Sequence, residues 1–165
     1  MKGKIAKLLA FVLAVAAFCM MFVDQVQNVF TVTVGGTTIG EPTVTVYTSQ
    51  QVLFGEEELV GSTFAFVAYL LIVIGGVLLL ITGLFGLKKR ANSFMALFCV
   101  LLMLFGGITV FFTKDLFVGA QTNSVIVELF KIGEWSNTAG PIVAGILAIL
   151  SSLIALISVP LTNKK

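Results

Sequence analysis

Four long apolar runs, broken once by a short stretch of strict alternation, organise this chain. The runs are Leu8–Val23, extended inward by Ile5 and Ala6 to cover about 5–23, then Ser62–Leu87 (62–87), Ala91–Phe112 (91–112) and Thr138–Leu161 (138–161). Each approaches or exceeds the roughly 20 helical residues needed to cross a hydrocarbon core. None holds an acidic or basic residue between its ends except Lys7, near the start of the first. Soluble core helices rarely run so long without charge, so the pattern predicts a membrane α-helical fold. We read residues 1–165 as a single integral membrane domain, a bundle of four transmembrane helices.

The alternation lies in "VFTVTVGGTTIGEPTVTVYTS", residues 29–49. Phe30, Val32 and Val34 alternate with Thr31 and Thr33, and Val44 and Val46 with Thr43, Thr45 and Tyr47. A period of two with β-branched residues predicts two strands, and Gly35 through Pro42 supplies the turn between them. An isolated hairpin is marginal in water, so a further strand is expected. Gln50–Phe54 is one candidate. Ser124–Ile132 is the better one, with Val125, Val127 and Leu129 on one face and Ile126, Glu128 and Phe130 on the other. Its alternative is a short amphipathic helix on the membrane surface. The strand reading makes one small antiparallel β-sheet from both loops, 24–61 and 113–137.

Composition agrees with the pattern. The 165 residues are 58% hydrophobic and 11% charged, with no histidine, far from the roughly 25% charge of a soluble domain. The placement of charge adds an orientation. Lys2, Lys4 and Lys7, then Lys88, Lys89 and Arg90, then Lys164 and Lys165 all fall on one side of a four-span chain, and no acid joins them. Asp24, Glu41, Glu56, Glu57, Glu58, Asp115, Glu128 and Glu134 fall on the other, beside Lys114 and Lys131. The positive-inside rule then puts both termini in the cytoplasm and both long loops outside, with Lys88, Lys89 and Arg90 as topology determinants. The expected location is the plasma membrane and the expected surroundings are the lipid bilayer; no basic patch for nucleic acid is present. The lysines before the first span also suit a signal peptide, with Ala14-Val15-Ala16 as a cleavage site, but the apolar run continues to Val23, which favours an uncleaved anchor. Cleavage would leave three spans in the same orientation.

Four helices, cytoplasmic termini, a long β-rich first outer loop and a shorter second loop adding a strand resemble the claudin-like tetraspan superfamily. The resemblance is one of topology and covers most of the chain. The Gly-Leu-Trp and paired cysteines that claudins carry in the first outer loop are absent from 24–61, so their paracellular-barrier role is not implied.

Reaction chemistry is sparse. Cys19 and Cys99 differ in expected depth by roughly 14 Å at 1.5 Å per residue, too far for a disulfide, and both read as packing residues. Without histidine or an outward cysteine, no zinc or copper site is expected. Glu56-Glu57-Glu58 reads as a solvated acidic turn near a helix N-terminus. The notable polar groups inside the spans are Tyr69, Thr82, Thr109, Ser151 and Ser152, so the ionisable relays of a proton-coupled transporter are not in view. Gly140, Ala144, Ala148 and Ser152 recur every four residues as a small-residue stripe, for packing within the chain or for a dimer interface. Gly75, Gly76, Gly83 and Gly86, or Gly106 and Gly107, are the expected receivers. Trp135 reads as an interfacial anchor. The function expected is that of a non-enzymatic, cofactor-free multi-pass protein whose outward sheet contacts a membrane or extracellular protein partner, or another copy in a homo-oligomer. The candidate interaction strands hold Phe30, Val32, Val34, Val44, Val46, Val127 and Leu129. The alternative is a channel or transport-system subunit.

Overall fold

The computed structural model describes residues 2–34, 37–56, 59–85, 89–121 and 133–163. Helices α1 (Lys2–Cys19), α2 (Thr63–Phe85), α3 (Lys89–Val110) and α5 (Ala139–Asn163) form the bundle, and a short α4 (Thr113–Ala120) follows α3. The stretches Gly3–Phe22, Thr63–Phe85, Ala91–Val110 and Ala139–Val159 are each long and apolar enough to cross a membrane. At 1.5 Å per residue they reach about 30–35 Å, the thickness of a hydrocarbon core.

Around the bundle α1 packs on α2 and α5, and α3 packs on the same two, which leaves α1 and α3 across one diagonal and α2 and α5 across the other. The interior is built from small side chains: Ala10, Ala14, Ala17, Ala65, Ala68, Ala96, Ala144, Ala148 and Ala155 are buried, with Ile72, Leu79, Cys99 and Met103 among them. Bulkier apolar residues such as Leu8, Ile74, Leu84, Phe94, Phe105 and Ile157 face out. Hydrocarbon gives large side chains no reason to turn inward, so contact between helices is gained by letting backbones approach. Gly106 illustrates this: a Cβ there would stand 2.6 Å from the Ala68 carbonyl oxygen on α2.

Beyond one end of the bundle lies a three-stranded antiparallel sheet of order β4-β1-β7, built from β1 (Val26–Phe30), β4 (Thr43–Tyr47) and β7 (Glu134–Asn137). β1 pairs with β4 from Val26↔Tyr47 to Phe30↔Thr43, and with β7 from Val26↔Asn137 to Val29↔Glu134. The second connecting segment therefore supplies the third strand, but through 134–137. Ser124–Ile132, with Val127 and Leu129, lies outside the described residues.

Three expectations about the hairpin are corrected. Its first strand begins at Val26, earlier than the alternation suggested, because Gln27 and Asn28 interrupt the apolar pattern while still pairing. Phe30, Val32 and Val34 do not share one strand: β1 stops at Phe30, Val32 lies between ladders, and Val34 belongs to the two-residue strand β2 (Thr33–Val34), paired with β3 (Thr37–Thr38). The residue that would come next opposite β1 is Pro42, which has no N–H to donate. Gly40, at φ +85°, turns the chain there, and pairing resumes two residues out of register through the bond from Ile39 N–H to the Val32 carbonyl, 2.9 Å. Finally, Gln50–Phe54 forms one π-helical turn, burying Val52 and Leu53, in place of a strand. A separate two-residue ladder joins β5 (Gly55–Glu56) to β6 (Leu59–Val60).

Side-chain amides tie these parts together. Gln25 is fully buried between α1 and β1; its Nε2 donates to the carbonyls of Met20, Met21 and Val23, while its Oε1 accepts from the Tyr69 hydroxyl of α2 at 2.8 Å. Its backbone joins both sides of the sheet's base, N–H to the Tyr47 carbonyl and carbonyl from the Thr138 N–H, each at 3.1 Å. Gln121 imitates a strand partner for Val60, accepting from its N–H at 3.1 Å and donating to its carbonyl at 2.8 Å. Asn137 accepts from the Lys114 N–H at 2.9 Å and donates to the Phe111 carbonyl, so one side chain covers the end of α3 and the start of α4. Both cysteines are free thiols, Cys19 exposed and Cys99 buried, and these amides do the joining that disulfides do elsewhere.

Candidate functional site

The sheet has two unlike faces. Paired residues share a face, so Val26, Asn28 and Phe30 group with Tyr47, Thr45 and Thr43, and with Asn137 and Trp135. This face lies on α4: the Tyr47 ring is 5.5 Å from that of Phe117 and 5.3 Å from that of Trp135, and Phe117 and Val26 are fully buried. Burial pushes the Tyr47 phenol above its ordinary value. Trp135 is thus a half-buried member of the sheet's packed underside.

The opposite face carries Gln27, Val29, Val44, Val46, Glu134 and Ser136. Val44 and Val46 are 53% and 44% exposed. Val32 and Ile39 in the neighbouring turn are exposed as well, as is Phe30 at the tip of the first face. Apolar residues thus continue onto the side of the sheet turned away from its own support, where folding alone gives no reason for them. The strand that bears Val44 and Val46 is the terminal strand in the order β4-β1-β7.

The small-residue stripe lies inside the bundle. Gly140, Ala144, Ala148 and Ser152 are all buried. A Cβ on Gly140 would stand 2.6 Å from the Asp24 carbonyl oxygen, and one on Gly107 of α3 would stand 2.9 Å from the Ala148 methyl group. Gly107 is thus one receiver named above; Gly75 instead meets Cys99 and Met103 of α3, and Gly76 meets Ala14 of α1, because α2 stands diagonal to α5. Of the topology determinants, Lys89 and Arg90 open α3, and Lys88 lies outside the described residues.

One polar site was missed in the sequence. Lys7 is 1% exposed, and its ammonium donates to Asn92 Oδ1 at 2.7 Å and to Thr82 Oγ1 at 3.2 Å. Asn92 lies on α3, diagonally across the bundle, so the charge stands at the centre of the helix array. The Thr82 hydroxyl in turn donates to the Leu79 carbonyl at 2.8 Å. Both hydrogen-bond partners of the ammonium are neutral. The available signal was spacing: Gly3, Lys7, Ala10, Ala14 and Ala17 form the buried row of α1 at steps of three and four, so Lys7 shares its face with the alanines that pack inward.

Among the described residues no three of His, Cys, Asp and Glu converge on a metal-sized site. Compared with known protein families, curated proteins and solved structures, the chain finds no match in any of the three.

Proposed function

We propose that this chain is a non-enzymatic multi-pass membrane protein whose β4-β1-β7 sheet faces outward and mediates contact with a membrane or extracellular protein partner or with another copy. The observation that carries the reading is the exposure of Val44 and Val46 on the face of the sheet opposite its packed side. Strands that end a sheet with apolar side chains are natural sites for strand addition or face-to-face docking. The grouping of Lys2, Lys4, Lys7, Lys88, Lys89 and Arg90 at the opposite end of the chain's topology supports cytoplasmic termini in the plasma membrane. The claudin-like resemblance supports the same arrangement through topology alone.

The deciding experiment replaces Val44 and Val46 together by glutamate in the full chain and follows copurification after crosslinking in native membranes. Their side chains point away from the bundle, so the pair should leave the fold and Trp135 fluorescence unchanged while removing the crosslinked partner or dimer. A set of crosslinked species unchanged by the substitution would overturn the proposal. The buried Lys7 favours a second reading, a transport-system subunit, since ionisable groups inside membranes commonly serve ion pathways. Anion flux through reconstituted vesicles that disappears in Lys7→Met would establish that reading instead.

A further inference from the structure

Near the terminal end of the bundle a cleft of about 190 Å³ opens between α1 and α2, lined by Lys4, Ile5, Lys7, Leu8, Leu80 and Leu84 beside Gly83. Its walls are aliphatic, and Ile5, Leu8 and Leu84 are 62%, 52% and 66% exposed to what surrounds the bundle. From Lys4 to Leu8, and from Leu80 to Leu84, it extends along about 6 Å of helix axis, one helical turn. Gly83 gives it its depth: a Cβ there would press on the Lys7 stem, 3.3 Å from Cδ. The cleft is an apolar slot open to what surrounds the bundle, with Lys4 at one end and the stem of Lys7 in its wall.

The charges decide what fits it. Lys4 is exposed at the outer end of the slot, one turn from Lys7, whose stem forms the inner wall. The Lys7 ammonium meets only neutral oxygens, and no aspartate or glutamate occurs anywhere between residues 2 and 23 or between 59 and 114. A buried cation without a counter-ion is costly in a low-dielectric medium. Among the described residues no aspartate or glutamate side chain stands at this end of the bundle to balance it, whereas a bilayer offers anionic headgroups.

We propose that the cleft binds one anionic phospholipid, with the upper part of an acyl chain lying between Leu8, Leu80 and Leu84 and the phosphate on the Lys4 ammonium, close enough to offset the charge of Lys7. A zwitterionic lipid fits the slot equally well but brings its own cation to Lys4, so selectivity resides in the headgroup. This site is independent of the sheet and of what the sheet binds. It requires only that the four helices lie in a bilayer.

The test uses the full chain purified in detergent and offered phosphatidylglycerol or phosphatidylcholine of equal chain length, with retained lipid read by native mass spectrometry. One phosphatidylglycerol should be retained in preference to phosphatidylcholine. Lys4→Gln should reduce that preference about five-fold, the equivalent of about 1 kcal/mol for one basic residue beside an anionic lipid. Leu84→Trp fills the slot from the lipid side and should abolish retention, with helix content by circular dichroism unchanged. Equal retention of the two lipids would overturn the proposal. So would a preference that survives both substitutions, which would assign it to basic residues elsewhere, or displacement of the phospholipid by equimolar free fatty acid, which would make the occupant a carboxylate.

Discussion

Replacing Gln25 by leucine tests whether one amide holds the sheet on the bundle. The substitution strands the Tyr69 hydroxyl, which is fully buried and donates only to Gln25 Oε1 at 2.8 Å among the bonds described above; an unsatisfied buried polar group costs about 1–3 kcal/mol. The Met21 and Val23 carbonyls also lose the Nε2 donor, at about 1 kcal/mol each. Met20 is less affected, since its carbonyl also accepts from the Val23 N–H at 3.3 Å. Gln25→Leu should therefore cost about 3–5 kcal/mol. Tyr69→Phe should cost about 1–2 kcal/mol, because it strands only one acceptor. The double variant removes donor and acceptor together, so the cycle should show coupling of about 1–2 kcal/mol. The assay is reversible unfolding in mixed micelles, followed by two probes: the fluorescence of Trp135, the only tryptophan in the chain, and far-ultraviolet dichroism for the helices. In the parent protein the two transitions should coincide; in Gln25→Leu the Trp135 transition should come first, because the sheet detaches while the bundle persists. Additive single costs together with coincident transitions would refute the role given to Gln25.

Other outcomes follow from the same packing. Asn92→Leu should destabilise the bundle by about 3–5 kcal/mol by leaving a buried charge unmatched, and Lys7→Met by only about 1–2 kcal/mol; equal losses in the same micelle assay would mean that Lys7 reaches the interface by extending its stem. Gly140→Ala pushes a methyl group against the fixed carbonyl of Asp24 and should cost about 1–3 kcal/mol, whereas an intact monomer that loses only its oligomers on gel filtration would make the α5 stripe an interface. Tyr47 gives the sheet a pH dependence: its phenol is raised when folded, so above the ordinary phenol value of about 10 the detached form ionises first and stability falls as pH rises. The Trp135 signal should therefore weaken above that pH in the parent more than in Tyr47→Phe, and identical profiles would contradict the burial of the ring.

The helices were legible to within a few residues because their requirements are local. A segment in hydrocarbon must satisfy its own backbone hydrogen bonds and present apolar side chains all round, and both conditions can be read from consecutive positions. The hairpin was legible for a related reason: alternation of Val with Thr and a Gly-rich turn mark neighbouring strands. Its break at Pro42 was legible in principle, since a proline has no N–H wherever it stands, but which residue it faces depends on a register only the paired strands fix. The expectation that the second loop adds a strand to the hairpin is met by Glu134–Asn137, which the sequence did not single out; Ser124–Ile132 lies outside the described residues. Glu134–Asn137 has a weak strand pattern and is held by contacts with β1, more than a hundred residues earlier, together with the Trp135 ring on Tyr47 and the Asn137 bridge between α3 and α4.

By itself the amino-acid order determined four membrane-length helices, a β-hairpin between the first two, and basic residues gathered at one end, all properties of neighbouring residues or of a charge count along the chain. The tertiary structure alone decided that Val44 and Val46 turn away from the bundle, that Gln25 joins four elements, and that Lys7 stands on the bundle axis instead of at its rim. Each depends on which face of one element meets another, and side-chain burial in a bundle or sheet is set by partners distant in the chain, whose identity no local pattern carries.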